Sequence, residues 1–269
     1  MSLIRYKLKE WKDIVPWGDG QNQFLHWFGL TYSYYWFDFQ GVEFPKYSKE
    51  IVSKWHEHPE LGFIDYPFMR IFEDLCEGIR FVEDPVPDEV FQQVNSLKKL
   101  EAYIQSLKDW VAGSEEQNND LFYEAYEVAR EWLYGRSLDF GYLVDSPKCF
   151  LIRNGNELYV YWIAAYRDEQ GIPFWDKPKA VFSCDYQEFM TSLIKSFKAF
   201  AADMRQQISD LFENKPEHVH IDREQILADQ IHYEERITEL ENKRLFYADS
   251  PDWNSILKQI RAISRNRSE

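Results

Sequence analysis

The fold of this protein is indicated first by residues 30–39, which read LTYSYYWFDF. Tyr, Trp, Phe and Thr fit a pleated, half-buried surface, so this stretch predicts a β-strand. Gln40 and Gly41 follow, and because glycine tolerates a positive φ they predict a tight turn into a second strand over residues 42–47. Pro45 cannot donate a backbone hydrogen bond, so we expect the second strand to be short or to lie at an edge.

A second group of strands is predicted in the latter half of the chain. Residues 149–153 and 158–166 are rich in β-forming residues and flank an Asn-Gly-Asn turn. Residues 179–183 add one more strand. Together with the N-terminal hairpin, these segments predict one antiparallel sheet of five or six strands.

The helical segments are marked by apolar residues that recur at the helical period. The longest covers residues 185–212, where a continuous apolar stripe predicts a helix of about 28 residues, or roughly 42 Å, long enough to cover a sheet. Further helices are predicted over residues 68–79, 121–134 and 222–246 and after residue 251, and residues 88–111 are predicted to form either one helix or a broken pair of helices. Gly135 follows one of them in the position that a left-handed C-cap prefers.

These elements predict an α+β protein, in which one antiparallel sheet is packed by long helices and an acidic helical block occupies the middle of the chain. We predict a domain over residues 1–215 that carries a helical insertion at residues 57–145. A C-terminal helical extension is predicted over residues 216–269. The sequence contains no internal repeat, which excludes solenoid folds.

The negative charge is concentrated in the helical block. The chain has 31 basic and 46 acidic residues, a net charge of -15, and residues 57–145 alone contain twenty acidic and seven basic ones. Binding to nucleic acid requires a basic surface that displaces counterions, so this charge disfavours a nucleic-acid partner. A basic protein is the partner that such a surface favours.

The cellular compartment is predicted from three features. Cys76, Cys149 and Cys184 are far apart and form no CxxC motif, which is typical of reduced thiols. The N-terminus is too charged for a signal peptide, and no segment approaches the roughly 20 apolar residues of a membrane helix. We therefore expect a cytoplasmic protein with no membrane partner, and no motif indicates a cofactor.

The common catalytic motifs are absent from the sequence, so the candidate binding residues come from composition and position. Tyr34, Trp36, Asp38 and Trp175 are predicted either to line a ligand pocket between sheet and helices or to serve the core. Every second residue of a strand faces the core whatever the function, and this favours the structural interpretation.

Two further groups of polar residues are candidate sites. Glu73, Asp74 and Glu77 recur on one predicted helix, where they would contribute to an acid/base pair, to a docking surface or to a solvated face. Ordinary amphipathic patterning favours the solvated face.

The second group consists of two His-x-His pairs, at residues 56–58 and 218–220. On a strand, both imidazoles of a pair would face the same side, and Asp222 or His232 would complete a metal site with His218 and His220. Both pairs lie beside prolines in polar segments, and solvated loop histidines are the commoner outcome. We therefore predict that the protein binds no metal ion. If it does bind one, His218, His220 and Asp222 are the candidate ligands.

Four short segments resemble a family of uncharacterised bacterial proteins that are acidic, cytosolic and rich in Trp and Tyr. The segments are residues 34–39 (YYWFDF), 65–67 (DYP), 139–144 (DFGYLV) and 171–175 (GIPFW). The resemblance covers residues 17–212 and leaves the C-terminal helices outside it. It implies no catalytic residues, and in general type the family is similar to immunity proteins that neutralise polymorphic bacterial toxins.

Three functional hypotheses follow. The first is a non-enzymatic interaction protein, such as an immunity-type inhibitor of a basic bacterial toxin, that docks through its acidic helical surface. The alternative is an enzyme or small-molecule-binding protein with an aromatic-lined pocket. The third is self-association through the predicted helix over residues 222–247.

Overall fold

A computed structural model describes residues 3–19, 22–54, 62–113, 120–214, 216, 218–243 and 250–265. Its strands are β1 (Ile4–Leu8), β2 (Phe24–Leu25), β3 (Tyr32–Phe39), β4 (Val42–Phe44), β5 (Ile64–Pro67), β6 (Ser137–Asp139), β7 (Lys148–Asn154), β8 (Glu157–Ile163), β9 (Lys179–Asp185) and β10 (His220–Ile221). Its helices are α1 (Trp27–Leu30), α2 (Lys49–Lys54), α3 (Phe68–Val82), α4 (Asp88–Phe91), α5 (Leu97–Gly113), α6 (Asp120–Tyr134), α7 (Tyr186–Glu213), α8 (Arg223–Glu241) and α9 (Trp253–Arg265).

The α+β class is confirmed, but the strands form two antiparallel sheets of four, with β2 and β10 as a short parallel pair, instead of one larger sheet. The reason lies in the central strands. β3 pairs with β1 along one edge and with β4 and β5 along the other, so both of its edges are occupied. In the second sheet, β7 and β8 are likewise paired on both sides.

Backbone contacts divide the chain into two units. Unit 1 comprises Met1–Cys76, Ala165–Pro178 and Gln187–Leu245, and unit 2 comprises Glu77–Ala164, Lys179–Tyr186 and Phe246–Glu269. Each unit contains one of the four-stranded sheets. The predicted insertion at residues 57–145 and the predicted extension after residue 215 stay predictions.

Unit 1 is built on the hairpin that the sequence indicates. β4 ends at Phe44, directly before Pro45, because proline has no backbone N–H to donate to a neighbouring strand. The long helix α7 confirms the helix that was predicted from the apolar stripe. Phe200 of α7 stacks on Phe68 with ring centroids 4.0 Å apart. The backbone N–H of Ile4 in β1 donates to the hydroxyl of Ser196 at 3.2 Å, which ties the sheet to α7.

Unit 1 also contains α8, which packs beside α7. Arg205 donates two hydrogen bonds to the carboxylate of Glu234, at 2.6 and 2.9 Å. The indole N–H of Trp27 donates to the buried side chain of Gln230 at 2.8 Å. The two hydrogen bonds between Arg205 and Glu234 orient α7 and α8 relative to each other more firmly than a single hydrogen bond would.

Unit 2 has its own apolar core. It is formed by residues of α4, α5, α6, β7, β8 and α9, and the last helix contributes Ile256, Ile260 and Ile263. Arg136 is fully buried there, where its guanidinium donates to the backbone oxygens of Trp132 and Asp84 and lies 5.2 Å from the ring centroid of Trp253. Burial lowers the pKa of Arg136 to about 10.

The prediction of a left-handed cap at Gly135 was wrong. Gly135 does not have a positive φ, although α6 ends directly before it. A Cβ atom at this position would lie 2.7 Å from the ring of Phe81. Glycine is therefore required by the close approach of a side chain and not by backbone conformation.

The helices in the described part of the chain are each too short or too polar to cross a bilayer.

Candidate functional site

The first predicted site is the outer face of β3. Tyr34, Trp36 and Asp38 project from one side of the strand and are half-buried, whereas the residues between them are buried. This alternation follows from the pleat, which turns successive side chains to opposite faces. In the neighbouring strand β1, Arg5 lies opposite Trp36 and Lys7 lies opposite Tyr34. The structure thus brings three predicted binding residues together beside a basic strand.

The aromatic side chains of this face are held by their neighbours. Trp36 stacks on Phe63 with ring centroids 4.1 Å apart, and its indole N–H donates to Glu43 at 3.1 Å. The ammonium group of Lys9 lies 5.1 Å from the ring centroid of Tyr34, a cation–π contact. Both rings are held in place while part of each stays exposed to solvent.

The carboxylate of Asp38 is used within the sheet. It accepts hydrogen bonds from Arg5 at 3.2 Å and from the backbone N–H of Gly41 at 2.8 Å, and the side chain is only 7% exposed. The second bond closes the turn between β3 and β4, where Gln40 and Gly41 both have positive φ. Asp38 therefore stabilises the hairpin and offers little free surface to a ligand.

Trp175 is buried. Its ring stacks on Tyr47 with centroids 4.6 Å apart, and 1% of the residue is exposed. Tyr47 and Trp175 also form an isolated antiparallel bridge. A ring in this position supports the interior of unit 1, and its role in ligand binding stays a prediction.

The predicted acidic residues of α3 differ from one another in burial. Arg70 pairs with Glu73 at 4.0 Å and with Asp74 at 3.5 Å, one turn along the helix. Asp74 is 5% exposed, while Glu77 is exposed. The three carboxylates do not form one solvated face, because Asp74 lies on the buried side of the helix.

The predicted metal candidates are placed at the start of α8. Asp222 is the N-cap residue, and its side chain accepts a hydrogen bond from the backbone N–H of Gln225 at 3.0 Å. His218 and His220 are exposed. Among the described residues, no three or more His, Cys, Asp or Glu side chains are grouped to hold a metal ion. The pair at residues 56–58 lies outside the described residues.

A further acidic surface, which the predicted sites did not include, lies on α6. Glu124, Glu127 and Glu131 follow one another at spacings of three and four residues and therefore share one face of the helix. Glu127 pairs with Arg130 at 3.4 Å. Glu124 and Glu131 are exposed, and within the described ranges neither carboxylate has a basic partner.

The position of Tyr123 adds an aromatic group to this surface. Its side chain is 47% exposed beside Glu124, although most tyrosines of the helices are at least half-buried. We call Tyr123, Glu124, Glu127 and Glu131 the α6 surface. The spacing of its carboxylates is visible in the sequence, but their exposure depends on which side of α6 the core occupies.

A family model matches residues 3–259, nearly the whole chain. The chain belongs to the DUF5984 family. The function of this family is unknown, so membership assigns neither a reaction nor a ligand. The chain matches no curated protein and no solved structure.

The extent of the DUF5984 match corrects one expectation. The resemblance over residues 17–212 left the C-terminal helices outside, whereas the family match continues through α8 and into α9. Both helices contribute buried residues to the interior of their unit. α8 buries Ile226, Tyr233 and Ile237, and α9 buries Ile256, Ile260 and Ile263.

Proposed function

We propose that this protein is a non-enzymatic interaction protein, such as an immunity-type inhibitor of a bacterial toxin, that docks a basic partner through the α6 surface. The observation that carries the proposal is the stripe of three carboxylates on one face of α6, two of which have no basic partner among the described residues. Charges left uncompensated on a surface are available to a partner of opposite sign.

The composition of the α6 surface supports a protein partner. Carboxylates that remain solvated increase the rate of encounter with a basic surface, because the attraction acts before contact. An exposed tyrosine such as Tyr123 supplies a large contact area with few rotatable bonds, and tyrosine is enriched among the residues that dominate binding energies. The surface thus combines charge for association with an aromatic group for the bound state.

The experiment is co-expression with the basic product of a neighbouring gene, followed by titration calorimetry and by growth assays of cells that carry the partner. We expect a stable complex and rescue of growth. Reversal of the three charges (Glu124→Lys, Glu127→Lys and Glu131→Lys) is expected to lower the association rate by about tenfold or more at low salt, and by less at high salt.

The matched control reverses three exposed carboxylates of α8, through Glu224→Lys, Glu235→Lys and Glu239→Lys. It changes the net charge by the same amount on another helix, so it separates docking at α6 from attraction by the whole acidic chain. The absence of a complex, or equal effects of the two triple variants, would contradict the proposal.

A second candidate function is the binding of a small molecule on the outer face of β3. It is favoured by the half-exposed rings of Tyr34 and Trp36, which lie beside the basic strand β1. The test is a thermal-shift screen with flat and sugar-like ligands. A stabilising ligand whose effect is lost in Trp36→Leu supports this candidate, and a screen without any shift counts against it.

A further inference from the structure

Unit 2 contains a half-open cavity of about 400 Å³ beside the α6 surface. Its walls come from three parts of the chain. These are Phe81 near the end of α3, then Val128, Glu131 and Trp132 of α6, and finally residues directly before α9 and in its first turn. Glu131 belongs to both the cavity and the α6 surface. The cavity therefore lies at one end of the surface proposed for docking.

The charged groups that line the cavity are all acidic. They are Glu131 and Asp252, and no Lys or Arg of the described residues is among the lining side chains. Asp252 accepts hydrogen bonds from the backbone N–H groups of Asn254 and Ser255, both at 3.1 Å. These donors at the start of α9 are thus occupied by the protein itself and are not offered to an anion.

The remaining walls are apolar. Phe81, Val128, Trp132 and Ile256 supply aromatic and aliphatic surface next to the two carboxylates. A ligand that satisfies both parts has an apolar stem and a positively charged head, which is the chemistry of an arginine or lysine side chain. The volume corresponds to about a dozen water molecules, enough for such a side chain and part of its backbone.

Arginine fits this cavity better than lysine. Its planar guanidinium stacks on aromatic rings and donates in parallel to carboxylates, whereas lysine presents a compact, strongly hydrated charge. The same packing already occurs within unit 2, where Arg153 lies 4.2 Å from the ring centroid of Tyr186 and Arg130 lies 4.9 Å from that of Tyr134.

We propose that this cavity receives an arginine side chain of the basic partner, with the guanidinium at Glu131 and Asp252 and the stem against Phe81 and Trp132. The proposal rests on the proposed function and deepens it, because it names the anchor of the complex. Glu124 and Glu127 then attract the partner, and Glu131 also holds it.

The first experiment uses the peptide acetyl-Ala-Arg-Ala-amide as the probe and the full chain labelled with ¹⁵N. In an NMR titration we expect weak, saturable binding that shifts the indole N–H signal of Trp132, assigned with Trp132→Phe. The peptide with citrulline in place of arginine has nearly the same shape without the charge, and we expect it to bind about tenfold more weakly. Equal binding of the two peptides would overturn the proposal.

Two variants and one control locate the site. Glu131→Gln is expected to weaken binding of the arginine peptide about fivefold. Val128→Phe is expected to abolish it by filling the cavity, with the melting temperature measured to confirm folding. Glu239→Gln removes the same charge from an exposed position of α8, outside both the cavity and the α6 surface, and should leave peptide binding unchanged. Equal effects of Glu239→Gln and Glu131→Gln would show general attraction and overturn the cavity proposal.

The two proposals fail in different ways in the complex with the partner protein. If Glu124→Gln and Glu131→Gln weaken that complex equally and Val128→Phe has no effect, docking at α6 stands and the cavity proposal is overturned. If the peptide binds in a Glu131-dependent manner and Glu131→Gln weakens the protein complex, while Glu124→Lys with Glu127→Lys leaves the association rate of that complex unchanged, the cavity stands as the arginine site and docking through the carboxylate stripe of α6 is overturned.

Discussion

Two buried tyrosines of unit 2 differ in what their hydroxyl groups contact. The hydroxyl of Tyr103 donates to the backbone oxygen of Ala129 at 2.6 Å and accepts from the indole N–H of Trp132 at 3.2 Å. The hydroxyl of Tyr161 is buried and has no hydrogen-bond partner in the described part of the chain. A buried polar group without a partner reduces stability, because it has lost its bonds to water.

Removal of the two hydroxyls should therefore have opposite effects. We expect Tyr161→Phe to raise the free energy of unfolding by about 1 kcal/mol, and Tyr103→Phe to lower it by about 1–3 kcal/mol. Urea unfolding at neutral pH, followed by circular dichroism, measures both. A loss of stability in Tyr161→Phe as large as that in Tyr103→Phe would mean that the hydroxyl of Tyr161 is satisfied by water.

Gly135 and Gly78 provide a second comparison of single residues. A methyl group at Gly135 meets the ring of Phe81 at 2.7 Å, whereas at Gly78 its nearest neighbour, a methyl carbon of Leu138, is 3.6 Å away. We expect Gly135→Ala to destabilise the protein by about 1–3 kcal/mol because the ring must move. Gly78→Ala lies within α3 and should stabilise it by about 0.5–1 kcal/mol. Thermal unfolding of both variants checks the difference, and a stabilised Gly135→Ala would contradict it.

Among the elements, α7 and the two hairpins were predicted most closely. The predicted helix over residues 185–212 is observed as Tyr186–Glu213, because an apolar stripe of that length specifies a helix whatever it packs against. The turns at Gln40-Gly41 and at residues 154–156 were also correct, since Gly41 and Gly155 have positive φ. For residues 88–111, the alternative of a broken pair of helices is confirmed, because α4 and α5 are separate.

The start of α8 shows how an element determines the role of a side chain. Asp222, a candidate metal ligand by spacing, caps the helix through the backbone N–H of Gln225. We expect Asp222→Ala to lower the free energy of unfolding by about 1 kcal/mol, whereas Asp222→Asn keeps a capping oxygen and should have a smaller effect. Chemical unfolding in the presence of a chelator measures this. Equal losses in the two variants would mean that the negative charge, and not the cap, is what matters.

Self-association through the predicted helix over residues 222–247 stays a prediction. α8 exposes Leu227 by 47% and Ile231 by 57%, one turn apart. Light scattering of Leu227→Gln with Ile231→Gln tests whether this pair takes part in a contact between copies of the chain.

Across the whole molecule, buried tyrosines make stability depend on alkaline pH. Burial, followed by the charge of Asp65, raises the pKa of Tyr47 in unit 1 to about 12, and burial with a smaller effect of Tyr159 raises that of Tyr161 in unit 2 to about 12. Burial also raises the pKa of Tyr6, Tyr103 and Tyr186. In the unfolded chain the same groups ionise near their ordinary value of about 10.

The sign of the pH effect follows from these shifts. The folded protein keeps protons that the unfolded chain releases, so the stabilisation is fully present below about pH 10 and is lost as pH rises towards 12. We expect the free energy of unfolding to fall across this interval, and to fall less steeply in Tyr47→Phe combined with Tyr161→Phe. Unfolding curves recorded at successive alkaline pH values measure the slope. An unchanged slope in the double variant would contradict the assignment to these residues.

The sequence by itself determined the elements whose signal is local. The β-forming residues at 30–39 predicted β3, because Tyr, Trp, Phe and Thr fit a pleated strand, whereas the half-exposed face of β3 is known only from the structure. The acidic helical block and the hairpin turns were also predicted from the sequence, because charge and glycine are local signals that do not depend on residues distant in the chain.

The tertiary structure alone decided how those elements are combined. It divided the strands between two sheets, buried Trp175 against Tyr47, and brought Glu131 and Asp252 to one cavity. These outcomes join residues that are far apart in the chain. Their physical reason is packing: the period of a helix shows which side chains share a face, but the face that remains exposed depends on the elements that cover the others.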